Sequence, residues 1–185
     1  MSTLYVISGP SGAGMKEIVS GVIDGRDDVV TIIPVTSRRM KVGEVNGIGY
    51  WFYDLETWSA MRESGDLLEE TELAGNDYGT SRKLVMEQLN AGKSVIIDME
   101  PDRALRLKQS MPESVTVYVE PASEKILKQR FAEISHSTRE TDVRMQVASE
   151  MRNLAGRFDR RVNSDDLAKA EEELRNILLE FNKNS

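Results

Sequence analysis

The chain has 185 residues, 39% apolar and 30% charged, with 31 acidic against 24 basic side chains and a formal net charge of −7. That balance argues against nonspecific binding of nucleic acid or anionic membrane, which needs a basic face, and the absence of cysteine excludes disulfides and thiolate metal centres. The single histidine, His136, leaves little for a histidine metal site or a Ser-His-Asp triad. The expectation is one soluble, cytoplasmic domain. Its first apolar run is short and lacks a basic leader, and no run reaches the length of a membrane span.

That first run, Leu4–Ser8, is apolar on successive residues, as in a strand buried on both faces of a parallel sheet. It leads into Gly9-Pro10-Ser11-Gly12-Ala13-Gly14-Met15-Lys16. The template for a phosphate-binding loop is G-x-x-x-x-G-K-[ST], in which a glycine-rich turn aims backbone N–H groups at phosphate oxygens. Met15 holds the lysine position here, and Lys16 holds that of the Mg²⁺-binding hydroxyl. A plain strand-to-helix turn could use the same glycines, but three of them in this order with Pro and Ser favour the phosphate loop. Phosphate affinity comes largely from backbone amides and the helix N-terminus, so the cradle outlasts the loss of both side chains. Rate does not. The missing lysine and the metal neutralise charge on the transferred group, an effect of roughly several kcal/mol. On a helix, Lys16 points about 100° away from the position it would replace.

A helix is expected from Lys16 to Ile23, with Ile18, Val19, Val22 and Ile23 on one side, and a strand at 29–33. Residues 34–90 break the rhythm, being rich in Gly, Tyr, Trp and Glu, and read as an insert that closes over the site. It holds two expected helices, Leu55–Glu63 and 81–89. Near its start, Arg38, Arg39 and Lys41 cluster with Tyr50 and Phe52. The cations can bind a phosphate dianion with the Tyr50 hydroxyl as an added donor, and Glu44 would orient one of them. Taken alone, a solvated charged hairpin is an equal reading.

Buried strands are expected again at 94–98 and 115–119. Pro101 suits a first helical residue ahead of Ala104, Leu105 and Leu107. The polar stretch 133–142 reads as a mobile loop or lid. Ser164 or Asp165 caps a last helix striped by Leu167, Ala170, Leu174, Ile177, Leu178 and Phe181. Strands alternating with helices give a right-handed parallel α/β sheet, with ligands at the carboxyl ends of its strands.

Residues 36–52 match every specified position of T-[ST]-R-x-x-[KR]-x-x-[DE]-x-x-G-x-x-Y-x-[FY], and Asp66-Leu67-Leu68-Glu69 and Asn76-Asp77-Tyr78-Gly79-Thr80 follow. On these motifs the sequence closely resembles the guanylate kinase family, which moves a phosphoryl group from ATP to GMP. The resemblance runs from the Gly-rich loop to Val162-Asn163-Ser164-Asp165-Asp166-Leu167. It implies an α/β fold with a P-loop NTPase-type parallel β-sheet flanked by helices. The core would be 1–33 and 91–185, with a GMP-binding α+β insert at about 34–90 and a short lid at about 131–143. It further implies that Arg38, Lys41, Tyr50 and Tyr78 hold the GMP phosphate, with Glu44 among them, and that Glu69 and Thr80, beside Gly79, read guanine. A carboxylate accepts from the guanine N1–H and N2–H₂ edge and a hydroxyl donates to O6, a pair that rejects adenine. Asp98 matches an acidic strand-end position near metal and phosphates, and Mg²⁺ with ATP is the one implied cofactor.

The departures concern chiefly the ATP side. Besides Met15 and Lys16, Pro34 stands where the family has a guanine-contacting serine, and Glu100 where it has a second aspartate. Met99-Glu100-Pro101-Asp102 replaces an aspartate-x-glutamine-glycine turn, and the lid has no arginine before Arg139. Arg130 and Arg144 flank the lid as the retained clamp, and with Lys16, Arg38 and Asp98 they make up the expected catalytic set. Two functions follow from the resemblance. One is a nucleoside-monophosphate kinase in which Lys16, Arg130, Arg139 or Arg144 compensates for the lost lysine. The other is a non-catalytic module that binds GMP, GDP or a phosphorylated peptide.

Overall fold

The computed structural model describes residues 2–121 and 123–183. The chain opens with β1 (Leu4–Ser8), α1 (Met15–Ile23) and β2 (Val29–Thr31). The insert follows as β3 (Val35–Thr36), β4 (Trp51–Phe52), α2 (Leu55–Glu63), β5 (Leu67–Leu73), β6 (Asn76–Ser81) and α3 (Arg82–Asn90). The core resumes with β7 (Ser94–Met99), α4 (Pro101–Ser110), β8 (Val115–Glu120), α5 (Glu124–Ile134) and α6 (Thr138–Arg152). A short 3-10 turn leads to β9 (Arg160–Asn163) and α7 (Leu167–Lys183).

Five strands form one sheet in the order β2-β7-β1-β8-β9, every pairing parallel. Its centre, β1, alternates between two cores, as a strand's period of two requires. Tyr5 and Ile7 join Val19 and Val22 of α1 and Leu174 and Leu178 of α7 on one face. Leu4 and Val6 join Val85 of α3, Ala104 and Leu107 of α4, and Phe158 on the other. Each fully buried side chain of this kind contributes roughly 1.5–3 kcal/mol, so helices on both faces are needed to cover the sheet. The insert makes a second sheet in the order β4-β3-β6-β5, where β6 runs antiparallel to both neighbours. None of its strands was placed by hydrophobic pattern, because they are short or carry residues such as Glu69, Glu70 and Asp77.

The four expected strands and the amphipathic helices are present, β1 and α2 with the expected ends and the others shifted by at most two residues. Three differences have physical causes. Ser81 lies outside α3 as its N-cap, accepting from the Leu84 N–H at 3.3 Å. The cap of α7 is neither Ser164 nor Asp165 but Asp166, whose Oδ1 accepts from the N–H groups of Ala168 and Lys169 at 3.1 and 3.3 Å. The stretch 133–142 is not an extended loop. Helix α5 runs to Ile134 and α6 starts at Thr138, leaving a three-residue link. Ser137 accepts from the Glu140 N–H at 3.2 Å and Glu140 accepts from the His136 N–H at 3.0 Å. The Ser137 cap is the first half of an S-x-x-E box, and Glu140 reaches one residue further back than the box requires, so the two bonds together start a helix in a polar segment. No helix among the described residues is long and apolar enough to cross a membrane.

Candidate active site

The loop between β1 and α1 has backbone requirements that only glycine meets. A Cβ on Gly9 would lie 2.1 Å from the Val119 carbonyl oxygen, so Gly9 lets the chain pass against β8. Gly12 and Gly14 hold φ of 77° and 85°, and Gly14 is the N-cap of α1. No side chain caps this helix, which leaves its first N–H groups directed at the end of the loop as anion donors. Arg130 fastens the turn from outside: Nη1 donates to the carbonyls of Gly12 and Ala13 at 3.2 and 3.4 Å, and Nη2 donates to that of Ser164 at 2.7 Å. Met15 packs half-buried on the core while Lys16 is exposed.

A cleft of about 740 Å³ opens above the sheet. Gly9, Ser11, Met15 and Lys16 line it from the loop, and Tyr50, Tyr78 and Thr80 line it from the insert. The 100° turn of the helix therefore does not remove Lys16 from the cleft. A second cavity of about 590 Å³ shares Ser11, Met15, Lys16 and Asp98 with the first, and adds Arg130 and Glu133. Asp98, on β7, is the carboxylate common to both, and it has no hydrogen-bond or ion-pair partner among the described residues. Arg144 lines neither cavity and pairs with Glu140 at 2.8 Å one turn away on α6. Arg139 and His136 are exposed.

On the insert, Arg38 forks onto Glu44 with Nη1 and Nη2 at 3.0 and 2.8 Å, and Glu44 also accepts from the Lys41 N–H at 2.6 Å. The Arg38 hydrogen bond, then the Lys41 N–H, holds the Glu44 carboxyl down from the ordinary 4.5 to about 2. Glu44 thus orients Arg38 rather than facing the cleft. The Arg38 Cζ lies 5.7 Å from the ring centre of Tyr50 and 5.1 Å from that of Phe52, while Tyr50 and Tyr78 meet edge-to-face at 5.6 Å. Arg38 and Lys41 do not line the cleft; with Arg39 and Asn76 they line a separate hollow of about 770 Å³ on the insert that shares no lining residue with it.

Glu69 and Thr80 lie opposite each other on β5 and β6, both buried, and Thr80 Oγ1 donates to Glu69 Oε1 at 2.9 Å. A second partner escaped the sequence reading. Arg103 of α4 donates from Nε to Glu69 Oε2 at 2.8 Å and from Nη2 to Oε1 at 2.9 Å. Its Nη1 donates to Glu100 at 3.2 Å. Desolvation is the largest single influence on the guanidinium and pulls its pKa down, but the hydrogen bonds and charges of Glu69 and Glu100 together outweigh it and the net shift is upward. A signal existed in the sequence. It is a weak one: an arginine in the first turn of a helix opposes the helix dipole and favours a nearby acid, without saying which acid.

A glycine-rich loop at the carboxyl end of a central parallel strand, facing an insert with cationic and aromatic side chains, defines a P-loop nucleotide-binding protein. Comparison with known proteins narrows this class. The guanylate kinase family model matches residues 1–181. A guanylate kinase of Pseudomonas fluorescens strain Pf-5 is 36% identical over 177 residues, covering 95% of this chain and 85% of its own length. One from Clostridium perfringens strain 13 is 34% identical over 177 residues, covering 95% of this chain and 82% of its own. The crystal structure of guanylate kinase from Anaplasma phagocytophilum superposes with a TM-score of 0.68 at 22% identity, covering 96% of this chain and 84% of that one, a likeness of fold. The chain belongs to the guanylate kinase family.

Proposed function

We propose that the chain transfers the terminal phosphoryl group of ATP to GMP, giving ADP and GDP. The observation that carries this reading is the single cleft lined by both the phosphate loop and the insert: Gly9, Ser11 and Lys16 face it together with Tyr50, Tyr78 and Thr80. Phosphoryl transfer is mostly positioning plus charge neutralisation, so donor and acceptor sites must open into one space. In this reading the α1 N-terminus and the loop amides hold the donor phosphates, and Lys16 supplies the ammonium that Met15 lacks. Arg38, held by Glu44 and lying over the Tyr50 ring, and Lys41 reach from their own hollow to the acceptor phosphate at the Tyr50 and Tyr78 hydroxyls. Glu69 and Thr80 read the guanine edge, and transfer is in line with no covalent intermediate. The segment 131–143, around the α5–α6 link, is the proposed lid that excludes water.

Magnesium enters with ATP, where phosphate oxygens and water supply most of its ligands. Asp98 fits the rest of that demand, being an unpartnered carboxylate that lines both cavities, while Lys16 offers no oxygen at the place of the usual hydroxyl. When bound, the ion neutralises phosphate charge. The relatives at 34–36% identity are named guanylate kinases, which favours catalysis over the binding-module alternative. The retained Glu69–Thr80 pair also serves a purine edge and has no use at a phosphopeptide site.

The test is a coupled ADP-release assay with ATP and GMP, run beside Arg38→Ala. ADP release that depends on GMP and falls on the order of a hundredfold in the variant supports the reading. Release indifferent to millimolar GMP would overturn it.

A further inference from the structure

We infer that Arg103 is a specificity-determining residue that competes with the guanine edge for the Glu69 carboxylate, so that a base reaches Glu69 only when Arg103 leaves it. The inference rests on the proposed GMP site. Its first support is chemical identity. The N1–C2–N2 edge of guanine is itself a guanidine unit, with two parallel N–H donors on one carbon. Nε, Cζ and Nη2 of Arg103 present the same unit to the same carboxylate, Nε to Oε2 at 2.8 Å and Nη2 to Oε1 at 2.9 Å. Such a side-on fork uses both oxygens, and Oε1 also accepts from Thr80 at 2.9 Å. The face of Glu69 that a base would use is already filled.

Accessibility is the second support. The Glu69 side chain is 0% exposed and that of Arg103 17%. Arg103, not Glu69, is among the residues lining the 740 Å³ cleft, beside Thr80, Tyr78 and Glu100. A ligand entering that cleft meets a guanidinium where the family reading expects a carboxylate.

The third support is that the arginine has somewhere to go. Its Nη1 already donates to Glu100, one turn back at the start of α4, whose side chain is 58% exposed. Rotating outward keeps that ion pair and frees Glu69. Arg103 therefore lies between a buried acid, which a base can claim, and a solvated one, which holds the arginine meanwhile. Losing Glu69 as a partner without a replacement would strand a buried charge, so the exchange is favoured only for a ligand that presents a matching pair of donors. Guanine presents both. Hypoxanthine keeps N1–H but lacks the N2 amine, and adenine presents an acceptor at N1.

The experiment is titration calorimetry of GMP, IMP and AMP against the wild type, Arg103→Met and Arg38→Ala. Methionine keeps an unbranched stem and removes the competing donors. If the base-competent cleft is open about one-tenth of the time, removing the competitor tightens apparent affinity about tenfold. The expected result is a GMP dissociation constant about tenfold lower in Arg103→Met, a smaller gain for IMP and none for AMP. A variant that keeps its circular dichroism and binds GMP no more tightly than the wild type overturns the inference, as does an equal gain for all three nucleotides. Should Arg103→Met fail to fold, Arg103→Lys retains the charge but cannot present two parallel donors from one carbon. Tighter GMP binding by it supports the inference, and unchanged or weaker binding overturns it. The two readings fail separately. GMP binding that is lost in Arg38→Ala yet not improved at position 103 sinks the competition alone. Absence of GMP binding in every protein, or binding unmoved by Arg38→Ala, sinks the proposed site and the competition with it.

Discussion

Arg130 of α5 donates to the carbonyl oxygen of Gly12 at 3.2 Å, across 118 residues of chain. With its further bonds to Ala13 and Ser164, the guanidinium is committed to main-chain carbonyls of the loop and of the segment before α7. In this arrangement Arg130 is a strut on the main chain of the phosphate loop, and we propose that it acts on the donor phosphates through the shape of that loop.

Arg130→Met is therefore expected to raise KM for ATP about tenfold with a small change in KM for GMP. It also costs roughly 1–3 kcal/mol of stability, since three hydrogen bonds from a charged, half-buried donor are lost. Steady-state kinetics in each substrate and a thermal melt check both. A variant that loses kcat with KM for ATP unchanged would instead place Arg130 on the reacting phosphates.

Lys16 directly follows the usual lysine position in sequence, and it lines both cavities. Lys16→Ala should lower kcat on the order of a hundredfold, because a charge that neutralises the transferred group typically supplies roughly 3 kcal/mol. Met15→Lys/Lys16→Ser moves the ammonium to its template position and adds the hydroxyl that Lys16 cannot offer to magnesium, and that hydroxyl should raise kcat above the wild type, with KM for GMP unchanged. Met15 packs on the core, so the double variant should also melt at lower temperature. Equal rates in the wild type and the double variant would mean that the loop lysine is fully replaced elsewhere.

The fold was legible wherever burial writes itself into the chain. β1 is buried throughout, β7 and β8 are buried except at Asp98 and the half-buried Glu120, all three read as mostly apolar runs, and α7 carries an apolar stripe at helical spacing. The insert strands β3–β6 were not legible that way, since a two-residue strand such as Val35–Thr36 has no period, and β5 pairs by backbone while carrying Glu69, Glu70 and Glu72. The site divides along similar lines. Arg38, Glu44 and Tyr50 lie close in sequence, so spacing finds them, whereas Tyr78, opposite Thr36 on the paired strand β6, was reached through the family resemblance. Arg103 lies 34 residues from Glu69, and their meeting depends on how α4 docks on β5, which no local pattern encodes.

The Arg38–Glu44 pair has a pH signature. Because the Glu44 carboxyl is depressed from 4.5 to about 2, whatever the pair contributes is fully present above about pH 4.5 and is lost as pH falls toward 2. Both groups lie near the surface, so the effect on global stability is small and the reporter should be local. Carboxyl-detected NMR should show Glu44 titrating near 2 in the wild type, and higher in Arg38→Ala, still below its ordinary value because the Lys41 N–H remains. A Glu44 midpoint above 4 in the wild type would dissolve the pair as an orienting device.

Tyr118 on β8 is completely buried, packs edge-to-face on Phe158 at 5.2 Å, and its hydroxyl has no hydrogen-bond partner among the described residues. Burial pushes its pKa up to about 12. An unsatisfied buried hydroxyl costs roughly 1–3 kcal/mol, whereas the ring alone would pack as well. Tyr118→Phe should therefore stabilise the protein by about 1 kcal/mol, or roughly 2–4 °C in Tm for a chain of this size. The sign of its pH dependence follows from the raised pKa. The folded state holds the phenol proton more tightly, so nothing is lost below pH 10, and stability falls as pH rises from 10 toward 12 while the unfolded chain ionises. Tyr5, also pushed up to about 12 by burial, acts in the same direction and is left in place. The variant should keep its advantage at neutral pH and lose stability less steeply than the wild type above pH 10. Denaturant melts at pH 7 and pH 11 decide the matter, and a Tyr118→Phe protein that is less stable than the wild type at pH 7 would mean that the hydroxyl is satisfied by water.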